Sequence, residues 1–195
     1  MTWEQLDAVV ADPRMHYYVQ PEPVVQSDDP KVADFVTKAL GAQYRQNLKP
    51  YDAARRLFQA VLAHCTYSYP AEGDPDERAH DAVAMIEKGL GDCGSFSLLL
   101  VALYRHIGFP ARVAGGYWIG KDNSHAWSEM FFPGYGWLLS DGSAGNSLSE
   151  DGAYAYCFGN LFDLNIRYAT IRGNNFRIDD IESSWLPWGP VLEGP

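Results

Sequence analysis

Apolar residues between positions 30 and 107 recur every three or four residues, the spacing that places them on one face of an α-helix. This periodicity predicts four helices, at residues 30–40, 51–64, 81–88 and 92–107. The first has clear ends, because Asp29 suits an N-cap, Pro30 a first helical position and Gly41 a stop. In the fourth, apolar residues fill most of both faces, so we expect it to lie at the centre of the fold.

Beyond residue 110 the pattern changes to short apolar runs separated by turn residues. Three strands are predicted at residues 111–118, 125–132 and 137–141, with intervening turns that are typical of antiparallel hairpins. Two further strands are predicted at 154–158 and 164–171. Helices followed by strands indicate the α+β class, with helices packed on one face of an antiparallel sheet.

The length of 195 residues and a hydrophobic fraction of 47% suit a single domain with one hydrophobic core. The longest apolar run, residues 96–104, falls well short of the ~20 residues that a membrane-spanning helix needs. A net charge of −10 repels phosphate backbones and disfavours nucleic acid as a partner. Residues 1–15 lack the basic and apolar regions of a secretory signal, and a cytoplasmic and an exported location both stay open.

The cysteine content argues against a disulfide framework and against a four-cysteine metal site. There are three cysteines, Cys65, Cys93 and Cys157, and no CxxC pair. Cys65 and Cys157 could form a bridge in an exported protein, or could be small core residues in a cytosolic one. A zinc site that used these two with His64 or His80 would match no common ligand spacing, so no metal or other cofactor is expected.

Cys93 lies in the sequence GLGDCGSFSLLL, at the first turn of the predicted central helix. A helix N-terminus carries about half a positive charge, which stabilises a thiolate and makes a cysteine there reactive. The small residues Gly91, Gly94 and Ser95 leave room for a substrate to approach, which a structural cysteine would not need. The pattern therefore indicates a nucleophile, although a lone cysteine is usually a packing residue.

A histidine and an aspartate at neighbouring strand ends complete a possible set of catalytic residues. His125 opens a predicted strand in SHAWSEMFF, and Asp141 ends the next one in GWLLSDG. A carboxylate there can accept a hydrogen bond from the imidazole, which fixes its tautomer and stabilises its charged form. Taken alone, the histidine could simply bond a loop, and aspartate before glycine is a common turn pair.

Together these segments resemble the transglutaminase-like superfamily of papain-like thiol enzymes. The resemblance covers residues 81–142 and rests on GDCGSFSLLLVALYRHIGFPARVAGGY, HAWSEMFFPGYGW and the Asp141-Gly142 pair. The upstream helix that ends in HCTYSY is similar to the lead-in helix of the family, and FGNLFDLNIRYATIRGNNFRI to a C-terminal extension in some bacterial and archaeal relatives. The resemblance implies a papain-like, transglutaminase-core fold with a catalytic core at about residues 51–142 and a C-terminal extension at 143–195.

The family uses cysteine, histidine and aspartate in this order, which implies Cys93 as nucleophile, His125 as its base and Asp141 as the group that orients the histidine. The activity implied is acyl transfer from an amide of a protein or peptide substrate, through a thioester and without a cofactor. Resolution by water would make the enzyme a cysteine peptidase or amidase, which the small size favours. Resolution by an amine would make it a protein-glutamine γ-glutamyltransferase, and a non-catalytic peptide-binding module is a third possibility.

Four further residues have candidate roles around these three. In relatives, an upstream side chain supplies a second oxyanion donor, which implies Tyr67 or Tyr69, with Tyr67 preferred. Trp127 and Tyr69 are candidates for a substrate pocket, although aromatic residues on strands commonly serve packing alone. Glu129 falls on the same strand face as His125 and is a possible partner for it.

Side chains alternate between the two faces along a strand, so the length of the loop in the second hairpin decides whether His125 and Asp141 lie on the same face. A two-residue loop at 134–135 would put the two side chains on opposite faces of the sheet. A three-residue loop at 133–135 would make them diagonal neighbours on one face, at about 7 to 8 Å between backbones. We therefore predict an odd-length loop, or a single bulge with the same effect.

Overall fold

Helices dominate the N-terminal half of the chain. The computed structural model describes residues 1–68, 79–118, 124–147, 157–159 and 166–170. Besides a short 3-10 helix at Tyr17–Val19, seven α-helices precede the main sheet in these ranges: α1 (Trp3–Val10), α2 (Pro13–His16), α3 (Pro30–Leu40), α4 (Tyr44–Asn47), α5 (Pro50–His64), α6 (Ala82–Lys88) and α7 (Cys93–His106). The four predicted helices are confirmed as α3, α5, α6 and α7, each within about two residues of its predicted ends.

Capping residues mark the ends of α3, which was predicted, and the start of α1, which the apolar periodicity did not reveal. Asp29 accepts a hydrogen bond from the Lys31 N–H at 2.8 Å at the start of α3, and Gly41 ends that helix with a φ of 84°. At the start of α1, Thr2 and Gln5 form a reciprocal capping box. That box is a sequence signal from which α1 could have been predicted.

The main sheet has four antiparallel strands in the order β5-β4-β3-β6. Their ranges are β3 (Ala111–Trp118), β4 (Ser124–Phe132), β5 (Gly136–Ser140) and β6 (Ile166–Thr170). The first three agree with the predicted strands, and β6 falls within the predicted stretch 164–171. Of the strand predicted at 154–158, residues 154–156 lie outside the described residues, and Phe158 forms an isolated bridge with Ser140.

Three short elements near the candidate catalytic residues were not predicted, because they carry no periodic pattern. β1 (Thr66–Tyr67) and β2 (Leu90–Gly91) form a two-residue parallel pair, and α8 (Gly142–Ser147) follows β5 directly. Of these, β2 and α8 adjoin the candidate catalytic residues in the sequence. β2 ends two residues before Cys93, and α8 starts immediately after Asp141.

Helix α7 packs against one face of the sheet and is buried along nearly its whole length. On β4, Ala126, Met130 and Phe132 belong to the same buried cluster as the apolar residues of α7, and burial of each large side chain contributes roughly 1.5–3 kcal/mol. The Tyr104 hydroxyl bonds the Ser140 hydroxyl at 2.7 Å between helix and sheet. The predicted central helix of an α+β fold is thus confirmed.

Candidate active site

Cys93 is the first residue of α7 and is half-buried. Asp92 caps the helix, because its Oδ1 accepts from the Ser95 N–H at 3.1 Å and from the Ser95 hydroxyl at 3.2 Å. The Ser97 hydroxyl donates to the Cys93 carbonyl at 2.6 Å. The cap fixes the first turn, and the thiol lies at the positive end of the helix dipole.

The small residues around Cys93 have a different cause from the predicted one. Gly91 and Ser95 are both buried, and a Cβ on Gly91 would lie 2.4 Å from Ser95 Cβ and 2.8 Å from Met85 Sδ. Glycine at position 91 is therefore required for close packing of β2 on α7. The prediction that Gly91 and Ser95 open a path for substrate is wrong, whereas Gly94 is half-buried beside the thiol.

His125 and Asp141 are joined by a hydrogen bond of 2.6 Å between Nε2 and Oδ2. Both residues are buried, with 8% and 4% of their surface exposed. The second carboxylate oxygen, Oδ1, accepts from the Ser143 hydroxyl and from the Ala144 N–H, each at 2.9 Å. Because both oxygens are bonded, the carboxylate is held in one orientation toward the imidazole, and Asp141 is at the same time the N-cap of α8.

The loop between β4 and β5 has the predicted odd length. Phe132 pairs with Gly136, so three residues, 133–135, form the turn. Gly134, with a φ of 82°, follows proline, and the Tyr135 N–H donates to the Phe132 carbonyl at 3.0 Å, as in a type II turn. The pairing continues without a bulge to Ser128 and Ser140, the last pair of β5, which directly precedes Asp141. The prediction of an odd-length loop is therefore confirmed.

The charge state of His125 depends on opposing influences. Burial is the largest and disfavours the charged imidazole, but hydrogen bonds and negative charge from Asp141 and Cys93 outweigh it and raise the pKa of His125 from 6.5 to about 9. At neutral pH the imidazole therefore carries its proton. Because Asp141 engages Nε2, Nδ1 is the ring nitrogen left for the sulfur.

Tyr67, the preferred oxyanion residue, is brought close to the nucleophile by the β1–β2 pair. Tyr67 pairs with Gly91, two residues before Cys93, and its side chain is exposed on 37% of its surface. The Tyr67 N–H donates to Asn146 Oδ1 at 2.8 Å, and Asn146 Nδ2 donates to the Cys65 carbonyl at 2.8 Å. Tyr69 lies outside the described residues.

Two polar residues of α8 that sequence reasoning missed support this arrangement. Ser143 holds the carboxylate of Asp141, and Asn146 ties α8 to β1. Neither has a pattern that separates it from an ordinary turn or helix residue. Their contacts join positions up to 84 residues apart, as between Asn146 and Leu62, so a local signal could not have revealed them.

Trp127 and Glu129 follow His125 along β4 with side chains on the same face. Trp127 is completely buried, which corrects its prediction as a substrate-pocket residue, since a ring without exposed surface packs inside the protein. Its ring centroid lies 6.0 Å from that of His125. Glu129 Oε2 accepts from Arg112 Nε at 2.8 Å, so this carboxylate pairs with arginine, and Asp141 is the carboxylate on the imidazole.

The other two cysteines lack the setting of Cys93. All three thiols are free, and Cys65 and Cys157 are buried. Burial raises the pKa of Cys65 to about 12, and burial together with the Asp141 carboxylate raises the pKa of Cys157 to about 12. Such thiols are protonated and shielded at neutral pH.

We therefore expect iodoacetamide to label Cys93 rapidly at neutral pH while Cys65 and Cys157 stay unmodified. Peptide mass spectrometry over time gives the order directly, and labelling in denaturant serves as the control in which all three should react alike. A labelling rate at Cys93 that rises only near pH ~8.5, as for an ordinary thiol, would contradict activation of this thiol by His125.

No group of three or more His, Cys, Asp and Glu side chains that could hold a metal ion occurs in the part of the chain that the structure describes. Among these same residues, no helix is long and apolar enough to cross a membrane.

Comparison with known proteins gives a family and a fold. A model of the transglutaminase-like superfamily matches residues 38–142, more than half of the chain. The uncharacterized protein YebA of Bacillus subtilis is 31% identical over 77 residues, which cover 31% of this chain and 10% of YebA. The match includes only a small part of that relative.

Among solved structures, a protein of Cytophaga hutchinsonii described as a "putative cysteine protease" superposes with a TM-score of 0.57 at 23% identity. The alignment covers 85% of this chain and 59% of that protein. The periplasmic domain of TgpA from Pseudomonas aeruginosa aligns with a TM-score of 0.49 at 23% identity, over 67% of this chain and 47% of that one. The first of these likenesses shows a shared fold.

Proposed function

The chain belongs to the transglutaminase-like superfamily, and from that premise we propose that it is a cysteine enzyme that cleaves amide bonds through a thioester on Cys93. The observation that carries the proposal is the bonded His125–Asp141 pair beside a cysteine at a helix N-terminus. The raised pKa of His125, about 9, supports it, because a protonated imidazole at neutral pH stabilises a thiolate.

In the proposed mechanism the Cys93 thiolate attacks the carbonyl carbon of a peptide or side-chain amide, and a C–S bond forms. The Cys93 N–H and the Tyr67 hydroxyl stabilise the negative oxygen of the tetrahedral intermediate. His125 gives its proton to the departing amine as the C–N bond breaks, and Asp141 keeps the ring in the orientation that this transfer needs.

Water is the proposed acceptor of the acyl group. Neutral His125 takes a proton from water, the hydroxide oxygen bonds to the acyl carbon, and the thiolate leaves. This outcome requires no second binding site, whereas transfer to an amine requires a bound acceptor. The description of the Cytophaga hutchinsonii protein as a "putative cysteine protease" agrees with water as the acceptor.

The test is to trap the acyl-enzyme and to follow its fate. Incubation with an activated ester such as p-nitrophenyl acetate should add one acetyl group to Cys93, as seen by intact mass and peptide mapping. The adduct should decay to free enzyme in buffer, and a primary amine such as cadaverine should not become acetylated in proportion to its concentration. Acetylation of the amine would support the transferase, and failure to acylate Cys93 would remove the enzymatic proposal.

A further inference from the structure

Trp127 lies beside the imidazole of His125, two residues along β4 and on the same side of the strand. The two ring centroids are 6.0 Å apart and the ring planes are inclined by 32°, which is closer to parallel than to perpendicular and excludes a T-shaped contact. Trp127 has no exposed surface, and the contact is sealed from solvent. The distance is at the outer limit for attraction between a cation and an aromatic face.

A chain of polar and aromatic contacts holds the indole in place. Its Nε1–H donates to Glu129 Oε1 at 3.4 Å, and the other oxygen of Glu129 accepts from Arg112 Nε at 2.8 Å. The Arg112 guanidinium lies 3.9 Å from the ring centroid of Trp137. Because the charge of Glu129 is matched by Arg112, this carboxylate can orient the indole without competing for the proton of His125.

The surroundings of His125 explain why an aromatic face is useful there. Among the described residues, Cys93 at the start of α7 and Asp141 directly after β5 are titratable groups that act on His125, and Gly116 opposes it on β3 without a side chain. Burial disfavours the imidazolium. An indole face can offset part of that cost, because it attracts a cation but cannot accept its proton.

We propose that Trp127 is a positioning residue for His125, whose indole face, held by Glu129 and Arg112, stabilises the charged imidazole in the orientation that meets Cys93 and Asp141. This inference rests on the proposed function, and it replaces the pocket role first predicted for this residue. It gives the face of the sheet opposite α7, where Trp127 is buried with Ala114 and Leu139, a part in setting the pH range over which the thiolate and imidazolium coexist.

Two alkylating probes report the charge on His125 without a known substrate. Iodoacetate and iodoacetamide both transfer a carbon to the Cys93 sulfur with loss of iodide, but only iodoacetate is attracted by a neighbouring imidazolium. The ratio of their rate constants at Cys93 should therefore fall as pH rises through the pKa of His125, about 9 in the native protein. The midpoint of that fall is the measured quantity.

The decisive comparison places phenylalanine and pentafluorophenylalanine at position 127, the latter through a reassigned codon. The two rings have nearly the same shape, but fluorination reverses the ring quadrupole, so that the face carries a positive partial charge in place of a negative one. We expect the midpoint to be lower by about half a unit to one unit in the fluorinated protein. Phe131, which is on the same strand and the same face and contacts Trp137, provides the matched control, since the same exchange there should not move the midpoint.

Equal midpoints for the two rings at position 127 would overturn the proposal, because a purely structural role depends on shape and not on the charge of the face. The proposal would also be overturned if fluorination moved the midpoint equally at positions 127 and 131, because the shift would then be a general effect of fluorination. Failure of the proposed function has a different signature, namely that Cys93 in the unaltered protein reacts no faster than Cys65 and Cys157.

Discussion

Cys93→Ala is expected to abolish turnover of any amide or ester substrate, with a loss on the order of a millionfold, as when other covalent enzymes lose their nucleophile. The reason is that no other thiol can replace it. Cys65 and Cys157 are buried, and their thiols are protonated at neutral pH. Activity is measured as release of p-nitrophenol or of an amine, with the active-site concentration of the native protein fixed by iodoacetamide titration and that of the variant by its absorbance.

The fold should survive this substitution, because Cys93 is half-buried at the first helical position and its helix cap is made by Asp92. A change of less than about 1 kcal/mol in the free energy of unfolding is expected. Cys65→Ala is the matched control, since it also removes one thiol but should leave catalysis unaffected. A folded Cys93→Ala protein that still turns over substrate would end the thioester proposal.

Asp141→Asn is expected to lower kcat/KM by roughly 10⁴-fold, the loss found when the aspartate of a serine-protease triad is replaced. Asparagine also serves as an N-cap, so α8 should keep its start while the negative charge on His125 is lost. The hydrogen bond and charge of Asp141 raise the pKa of His125, and without them burial dominates and the pKa falls below about 9. The alkaline limb of activity should accordingly move to lower pH.

The pH dependence of stability offers a second measurement of the same pair. A histidine with a raised pKa contributes stability that is complete below its ordinary value of 6.5 and is lost as pH rises through about 9. We expect this alkaline loss to be present in the native protein and reduced in Asp141→Asn, as measured by urea unfolding between these pH values.

Ser143→Ala is the control for Asp141, since it removes a hydrogen bond to Oδ1 but leaves the carboxylate charge and its bond to His125. A rate close to that of the native protein is expected. If Asp141→Asn were instead fully active, Asp141 would have no part in catalysis, and Glu129→Gln would become the next variant to test.

Much of the fold could be predicted from the sequence, because the signals are local. The apolar periods of α3, α5 and α7 and the alternation in the strands depend on which residues face the core. Even the odd loop at 133–135 follows from asking which register puts His125 and Asp141 on one face. The short elements β1, β2 and α8 could not be predicted, because two to six residues are too few for a periodic pattern.

The sequence by itself determined the fold class and the candidate residues Cys93, His125 and Asp141. Tertiary structure decided which carboxylate meets the imidazole, since Glu129 has the right strand face but pairs with Arg112. It also decided that Gly91 serves packing and that Trp127 lies behind the histidine, away from solvent. The physical reason is that local sequence fixes the direction of a side chain along its own element, whereas its partner depends on how distant elements pack.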